Sequence, residues 1–194
     1  MVYKEILSVI AIGLTFAAFF PYIRSILAGT TKPHVFSWVI WGMTTFVVFL
    51  AQLEDDAGAG AWPIGVSGII TIYIAFIAYI KRSDISITKL DWVFFTSALT
   101  ALPFWYFTSN PLWAVIILTI VDVFGFGPTI RKAYNFPLDE QLSFFALFML
   151  RNVIVIMALE HYSITTVLFP AIIAMACLVL IVMVIYRRKY YQDE

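Results

Sequence analysis

The sequence predicts an all-α membrane protein with seven transmembrane helices, arranged as two parallel three-helix repeats joined by a linker helix (3+1+3). Three observations support this fold class: an apolar composition, seven apolar runs, and matching residues at one fixed spacing. Of 194 residues, 62% are hydrophobic and 12% are charged, whereas soluble domains carry about 45–50% apolar and about 25% charged residues. One soluble core could not bury so many apolar side chains, so we expect a polytopic membrane protein.

Seven apolar runs are each long enough to cross the hydrocarbon core, which takes roughly 20 residues in a helix. The runs are continuously apolar rather than alternating, which favours helices over a β-barrel. The first run has no convincing cleavage site, and we interpret it as a retained helix rather than a signal peptide. The predicted spans cover residues 5–27, 35–53, 60–80, 91–108, 111–133, 140–159 and 163–186.

The charges in the connections predict the topology. Basic residues fall on every second connection and after the last span, whereas the connection after the second span is acidic. The positive-inside rule places the basic connections in the cytoplasm. With seven spans, the N-terminus is then outside and the C-terminus is cytoplasmic. The basic residues of these connections are Arg24, Lys32, Lys81, Arg82, Lys89, Arg131, Lys132, Arg187, Arg188 and Lys189.

Similar residues recur 107 positions apart, which indicates an internal repeat. Around Ser37 and Ser143 the spacing is 106, a difference of one residue. Spans one to three therefore correspond to spans five to seven. The unpaired fourth span is a linker that starts the second copy on the same side of the membrane, which makes the repeats parallel. The predicted segments are a first repeat over 1–82, a linker helix over 83–110, and a second repeat with a short cytoplasmic tail over 111–194; the pairs at spacing 107 include Pro21/Pro128, Pro63/Pro170 and Tyr79/Tyr186.

This plan, with a proline near the cytoplasmic end of the first and fifth spans, resembles the PQ-loop superfamily. That group includes the SWEET sugar transporters, the lysosomal cystine and cationic amino acid exporters, and the KDEL receptor. The proline–glutamine pair of the family is Pro21-Tyr22 here and Pro128-Thr129 in the second copy, so both glutamines are replaced. The resemblance implies a carrier for a sugar-, amino-acid- or vitamin-sized solute, or a ligand receptor of the KDEL-receptor type.

Polar residues inside the spans form the predicted substrate site. Asp122 lies near the middle of the fifth span and Arg151 near the middle of the sixth. A charge facing lipid at a helix centre costs about 2.5–3.5 kcal/mol, so we expect both side chains to face the interior. Aromatic, hydroxyl and amide side chains follow at helical spacing, on stripes that we expect to line one central cavity. The candidate substrate-binding residues are Trp38, Trp41, Thr45, Gln52, Asp122, Phe144, Phe148, Arg151 and Asn152.

Asp122 and Arg151 are expected to meet across this cavity, where they contact the solute or exchange a proton with it. Their equivalents in the first repeat are Thr15, at spacing 107, and Thr45, at spacing 106. A pair that only locks two helices together is the alternative. The prolines that interrupt spans one and five, Pro21 and Pro128, are predicted hinges, although such breaks also permit close helix packing.

A carrier is the function that the sequence favours. The two bundles would rock to open a mid-membrane pocket to one side and then the other, and aromatic side chains would stack on a flat solute. A ligand-sensing receptor and a structural membrane protein are the alternatives. No nucleophile–base arrangement, phosphate loop, metal motif or basic nucleic-acid surface is visible, so we expect no enzyme activity, cofactor, metal ion or nucleic acid. The expected partners are the lipid bilayer and a small-molecule solute, with a homo-oligomer left open.

Overall fold

The computed structural model describes residues 2–30, 33, 35–81, 89–135, 137–139 and 142–191. Within these ranges the regular secondary structure is entirely helical, which confirms the all-α part of the prediction. Short 3₁₀ helices, Gly58–Ala61 and Pro137–Asp139, precede the third and sixth α-helices. The described part of the chain contains seven α-helices: α1 (Val2–Leu27), α2 (Val35–Glu54), α3 (Trp62–Ile80), α4 (Lys89–Thr108), α5 (Pro111–Asn135), α6 (Leu142–Ala158) and α7 (Ile164–Tyr191).

Each predicted span overlaps one of these helices. Residues 60–61 belong to the first 3₁₀ helix, residues 159 and 163 lie just outside α6 and α7, and residues 140–141 lie outside the described residues. Two shorter apolar stretches, Pro111–Phe126 and Leu142–Ala158, occupy the fifth and sixth predicted spans. A membrane protein is therefore supported by the length and composition of the helices. Four helical segments in the described ranges are long and apolar enough to cross a membrane: Val2–Leu27, Val35–Glu54, Gly58–Ile80 and Ile164–Lys189.

The helices other than α4 pack in two sets of three. Helix α3 packs against both α1 and α2, and α7 packs against both α5 and α6. The contacts of α1 with α6 and of α2 with α5 join the two sets. Helix α4 packs against α5 and α2. The largest buried apolar cluster therefore includes side chains from several helices, among them Val48, Leu118, Val155 and Leu180.

Glycines bring α2 and α3 close together. A β-carbon on Gly42 would lie 2.7 Å from Cγ1 of Ile72, and one on Gly65 would lie 2.9 Å from the ring of Phe49. Small residues at such contacts let membrane helices approach each other closely. The α2–α3 pair is therefore tightly packed.

Two loops interlock at one end of the bundle, and we call this contact the loop joint. It is formed by residues 55–61, which connect α2 to α3, and residues 159–163, which connect α6 to α7. The backbone N–H of Glu160 donates to the carbonyl of Ala57 at 3.0 Å. The ammonium group of Lys4, near the start of α1, donates to the first carbonyl of the second loop. The joint therefore ties both sets of helices together at this end.

Candidate functional site

The Arg151 side chain is buried where α6 meets α1, with 1% of its surface exposed. Its Nε donates to Thr15 Oγ1 on α1 at 3.2 Å, and one terminal nitrogen donates to Asn152 Oδ1 at 2.9 Å. The other terminal nitrogen donates to the backbone carbonyl of Pro63, at the start of α3, at 2.7 Å. The guanidinium also lies over the ring of Phe148, 5.1 Å from its centroid, in a cation–π contact. Three helices therefore hold this cation through neutral groups.

The Asp122 carboxylate is buried where α5 meets α2, with 6% of the residue exposed. Its Oδ1 accepts a 2.7 Å hydrogen bond from Thr44 Oγ1 on α2. The same hydroxyl lies 3.0 Å from the carbonyl of Trp41, one turn earlier in α2. Asp122 is therefore bonded to a neutral side chain, as Arg151 is, but at a different pair of helices.

The predicted pairing of Asp122 with Arg151 is therefore wrong. The carboxylate is bonded to α2, whereas the guanidinium is bonded to α1, to α3 and to its own helix. The two residues lie at similar positions along their helices, but equal depth does not bring side chains together. Helix α7 packs against both α5 and α6. Asp122 on α5 is bonded to α2, and Arg151 on α6 is bonded to α1, so each contacts a helix of the other set.

The two buried hydrogen bonds are related by the spacing of the predicted internal repeat. Thr15 and Asp122 are 107 residues apart, and so are Thr44 and Arg151. The Arg151–Thr15 bond between α6 and α1 therefore corresponds to the Thr44–Asp122 bond between α2 and α5. The predicted spacing of 106 in this region made Thr45 the equivalent of Arg151. The hydrogen bonds instead match Arg151 with Thr44, while Thr45 is buried at the next position.

The four predicted aromatic side chains gather beside α1 in what we call the aromatic cluster. Trp41 contacts Trp38 with ring centroids 5.6 Å apart, and Tyr22 of α1 stacks on Trp38 at 5.1 Å. The four predicted rings and the Tyr22 ring are half-buried, so each keeps some accessible surface. Phe19 of α1 lies at the centre of the cluster, with ring centroids 5.5–6.4 Å from those of Trp38, Phe144 and Phe148.

The Trp41 indole also reaches α5, where it packs against Gly125. A β-carbon at position 125 would lie 2.5 Å from the indole Nε1, a distance that no side chain could occupy without movement. Gly125 lies about one helical turn after Asp122 in α5, and Trp41 lies about one helical turn before Thr44 in α2, so the two contacts are neighbours. The α2–α5 contact therefore consists of one polar pair with an aromatic–glycine contact beside it.

Gln52 lies apart from the other candidates, near the end of α2 and close to the loop joint. Its Nε2 donates to the carbonyl of Thr166 at the start of α7 at 2.8 Å, and the residue is fully buried. Its Oε1 has no hydrogen-bond partner within the described ranges. The sequence placed Gln52 with the central residues because it shares their helical stripe, but that stripe runs the full length of α2 and reaches another helix at its end.

Sequence reasoning missed residues on α1 and α2 that complete the site. Thr15 and Thr44 bond the two charges, and Phe19 and Tyr22 complete the aromatic cluster. A signal for the α1 residues was present, because positions 15, 19 and 22 recur at the spacing of one helical face. The spacing of 107, continued through α2, would have identified Thr44.

The predicted hinges lie inside long helices. Pro21 is exposed within α1, which continues to Leu27. Helix α5 likewise continues through position 128 to Asn135. The hinge role of Pro21 and Pro128 stays a prediction, as does the role of the candidate residues in binding a solute.

Comparison with known protein families, with curated proteins and with solved structures finds no match to this chain. The resemblance to the PQ-loop superfamily therefore stays a prediction that rests on the sequence features. Function has to be inferred from the geometry of the helices and of the residues between them.

Proposed function

We propose that this chain is a multi-pass membrane carrier that moves a small polar solute by alternating access through a pocket between two three-helix repeats. In this proposal α1–α3 and α5–α7 are the repeats, and α4 is the linker. The helix contacts support it, because exchanging α1 with α5, α2 with α6 and α3 with α7 turns the contacts of one set into those of the other. The same exchange of helices turns the α1–α6 contact, which joins the two sets, into the α2–α5 contact.

The observation that carries the proposal is the repeat-related pair of buried hydrogen bonds, Arg151–Thr15 and Thr44–Asp122. Both bonds cross from one repeat to the other, so they lie where two rocking bundles would separate. Ionisable side chains inside membrane spans are expensive, and they commonly mark a substrate or ion pathway. The aromatic cluster next to Arg151 adds flat surfaces of the kind that bind ring-shaped solutes.

The proposed orientation follows from the basic connections, which place the loop joint outside and the C-terminus in the cytoplasm. A C-terminal fusion to a phosphatase that is active only in the periplasm should be silent in a bacterial host. The control is the same phosphatase inserted at the joint, after Gly58, which should be active. Strong activity from the C-terminal fusion would contradict the orientation or the number of spans.

A reversible lock on the loop joint tests alternating access. Ala57 and Glu160 are joined by a backbone hydrogen bond, so cysteines at these positions are the pair chosen for a disulfide, and loss of free thiol on oxidation verifies that the bond has formed. The background is Cys177→Ser, because Cys177 is the single native cysteine. Solutes that raise the thermal stability of the purified protein would be chosen from sugars, amino acids and vitamins, and then tested for uptake into proteoliposomes.

We expect oxidation of the Ala57→Cys/Glu160→Cys protein to stop uptake and a reductant to restore it. Ala57→Cys alone, treated in the same way, is the control and should keep its uptake. Uptake that continues through the oxidised, cross-linked protein would contradict alternating access at this joint. Absence of uptake for every stabilising solute would contradict the carrier.

A structural membrane protein is the second candidate, and one observation favours it. The rings of the aromatic cluster contact each other, and Arg151 is bonded to three helices, as expected of a contact that only locks them. Under this reading no solute would stabilise the protein, and the cross-link would change its stability alone.

A further inference from the structure

Arg151 carries a buried positive charge whose partners in the described part of the chain are all neutral. Its hydrogen bonds go to a hydroxyl, an amide and a backbone carbonyl. Asp122 is bonded to Thr44 at the other interface. A carboxylate beside Arg151 would therefore supply the counter-charge that the neighbouring helices do not.

The guanidinium also keeps donors for such a ligand. It has five N–H groups, and three of them are used by Thr15, Asn152 and Pro63. Because the three bonds use one N–H on each nitrogen, each terminal nitrogen retains one more. A guanidinium can donate two N–H groups in a fork to the two oxygens of one carboxylate, and Arg151 has two N–H groups left to donate.

We propose that Arg151 binds the carboxylate of a small organic anion, and that this anion is the solute of the proposed carrier. The inference rests on the proposed function for its transport step alone. One carboxylate neutralises one guanidinium, whereas a phosphate monoester carries about two negative charges and would leave an excess inside the membrane. The substrate class is therefore an organic monocarboxylate.

The aromatic cluster indicates what the rest of the anion is. The Phe148 ring lies under the guanidinium and stacks on Phe144 with centroids 5.3 Å apart. Phe19 contacts both rings edge-on. A flat, apolar body attached to the carboxylate would lie against these rings, because offset-stacked and edge-to-face arrangements are the favoured contacts between aromatic groups. The ligand is thus a carboxylate with a planar, apolar body.

Benzoate and benzamide form a matched pair of probes for the wild-type protein. They share one ring and nearly one shape, and they differ in the charge of the group that would face Arg151. We expect benzoate to raise the melting temperature of the purified full-length protein and benzamide to leave it unchanged. Equal stabilisation by both compounds, or by neither, would overturn the proposal.

Variants of the chain then assign the effect to Arg151. Arg151→Gln should weaken benzoate binding at least about tenfold, because a buried charge pair loses one partner. Arg24→Gln makes the same change of charge at an exposed position of α1 and should keep wild-type binding. Arg151→Lys keeps the charge without the fork and should bind benzoate with intermediate affinity. Wild-type affinity in Arg151→Gln would overturn the assignment.

Uptake separates this inference from the carrier itself. Benzenesulfonate stays ionised and does not cross a bilayer unaided, so its entry into proteoliposomes reports transport. Binding that depends on Arg151 without uptake of any solute supports the anion site and contradicts the carrier. Uptake of a neutral solute by a protein that binds neither benzoate nor benzenesulfonate supports the carrier and contradicts the anion site.

Discussion

The α1–α6 and α2–α5 contacts occupy corresponding places in the two proposed repeats, yet their chemistry is opposite. At α1–α6 a guanidinium makes three hydrogen bonds and lies over an aromatic ring. At α2–α5 a carboxylate accepts one hydrogen bond from a threonine, beside an indole that packs on a glycine. In both contacts the first repeat supplies the hydroxyl and the second supplies the charge. The two contacts therefore share one pattern, a hydroxyl bonded to an ionisable side chain, but the ionisable group is a guanidinium in one and a carboxyl group in the other.

The largest expected effect is the loss of stability from Arg151→Leu, about 3 kcal/mol. The substitution leaves Asn152 Oδ1 and the carbonyl of Pro63 without their donor, and each buried unsatisfied group costs about 1–3 kcal/mol. Denaturation of the purified protein measures the change. Arg24→Leu, at an exposed position of α1, is the matched control and should stay within about 0.5 kcal/mol of wild type. Equal effects of the two substitutions would mean that the α1–α6 contact is not held by Arg151.

Gly125→Ala tests the other contact, with an expected loss of about 1–3 kcal/mol from overpacking. Its β-carbon would lie 2.5 Å from the rigid indole of Trp41, so the ring has to move and the tryptophan fluorescence should change. Gly13→Ala on α1 is the control, because a β-carbon there meets nothing within 4 Å. A stable Gly125→Ala protein with an unchanged emission spectrum would show that α2 and α5 do not pack as described.

Thr15→Asp makes the first repeat resemble the second, because Asp122 is the equivalent of Thr15. The new carboxylate would replace a hydroxyl that lies 3.2 Å from the Nε of Arg151 and would neutralise the guanidinium internally. We expect benzoate binding to weaken at least about tenfold while the protein remains folded. Thr15→Asn has the same shape without the charge and should keep the binding. If both variants bind benzoate equally, neutralising the guanidinium has no effect on binding, and the charge of Arg151 does not determine which ligand binds.

Asp122→Asn is expected to change stability least, by less than about 1 kcal/mol, because the amide oxygen can still accept the hydrogen bond from Thr44. Combined with Arg151→Leu, it should be additive within about 0.5 kcal/mol, since the two residues share no partner. Thermal or chemical denaturation of the four proteins gives the coupling energy. A coupling above about 1 kcal/mol would show that the two charges sense each other across the pocket.

The helices could be predicted from the sequence because the length of an apolar run is set by the thickness of the bilayer. Their ends were less well predicted. Helix α7 continues to Tyr191, beyond the predicted end at residue 186, because charged residues such as Arg188 and Lys189 can extend a helix into water. Periodicity also identified the faces of α2 and α6 that bear Trp38 and Phe148. A hydrophobic stripe therefore predicts which side of a helix is buried.

Which helix lies opposite that face could not be predicted in the same way. Asp122 and Arg151 were correctly expected in the interior, but each is bonded to a helix of the other set. The choice of Thr45 over Thr44 shows how sensitive such assignments are. One residue of α-helix is a rotation of about 100°, so an error of one position in the repeat alignment selects a different neighbour.

The loop joint has a mechanical consequence for the whole bundle. Helix α1 has 26 residues and is therefore about 39 Å long, and Lys4 ties its first turn to the joint. In the proposed carrier, α1 can tilt about this end while the joint is closed. A tilt of about 10° would move its far end, beyond Pro21, by about 7 Å, the width of a small organic molecule. In the proposed carrier, a small tilt about the closed joint would therefore become an opening of about this width at the opposite end of α1.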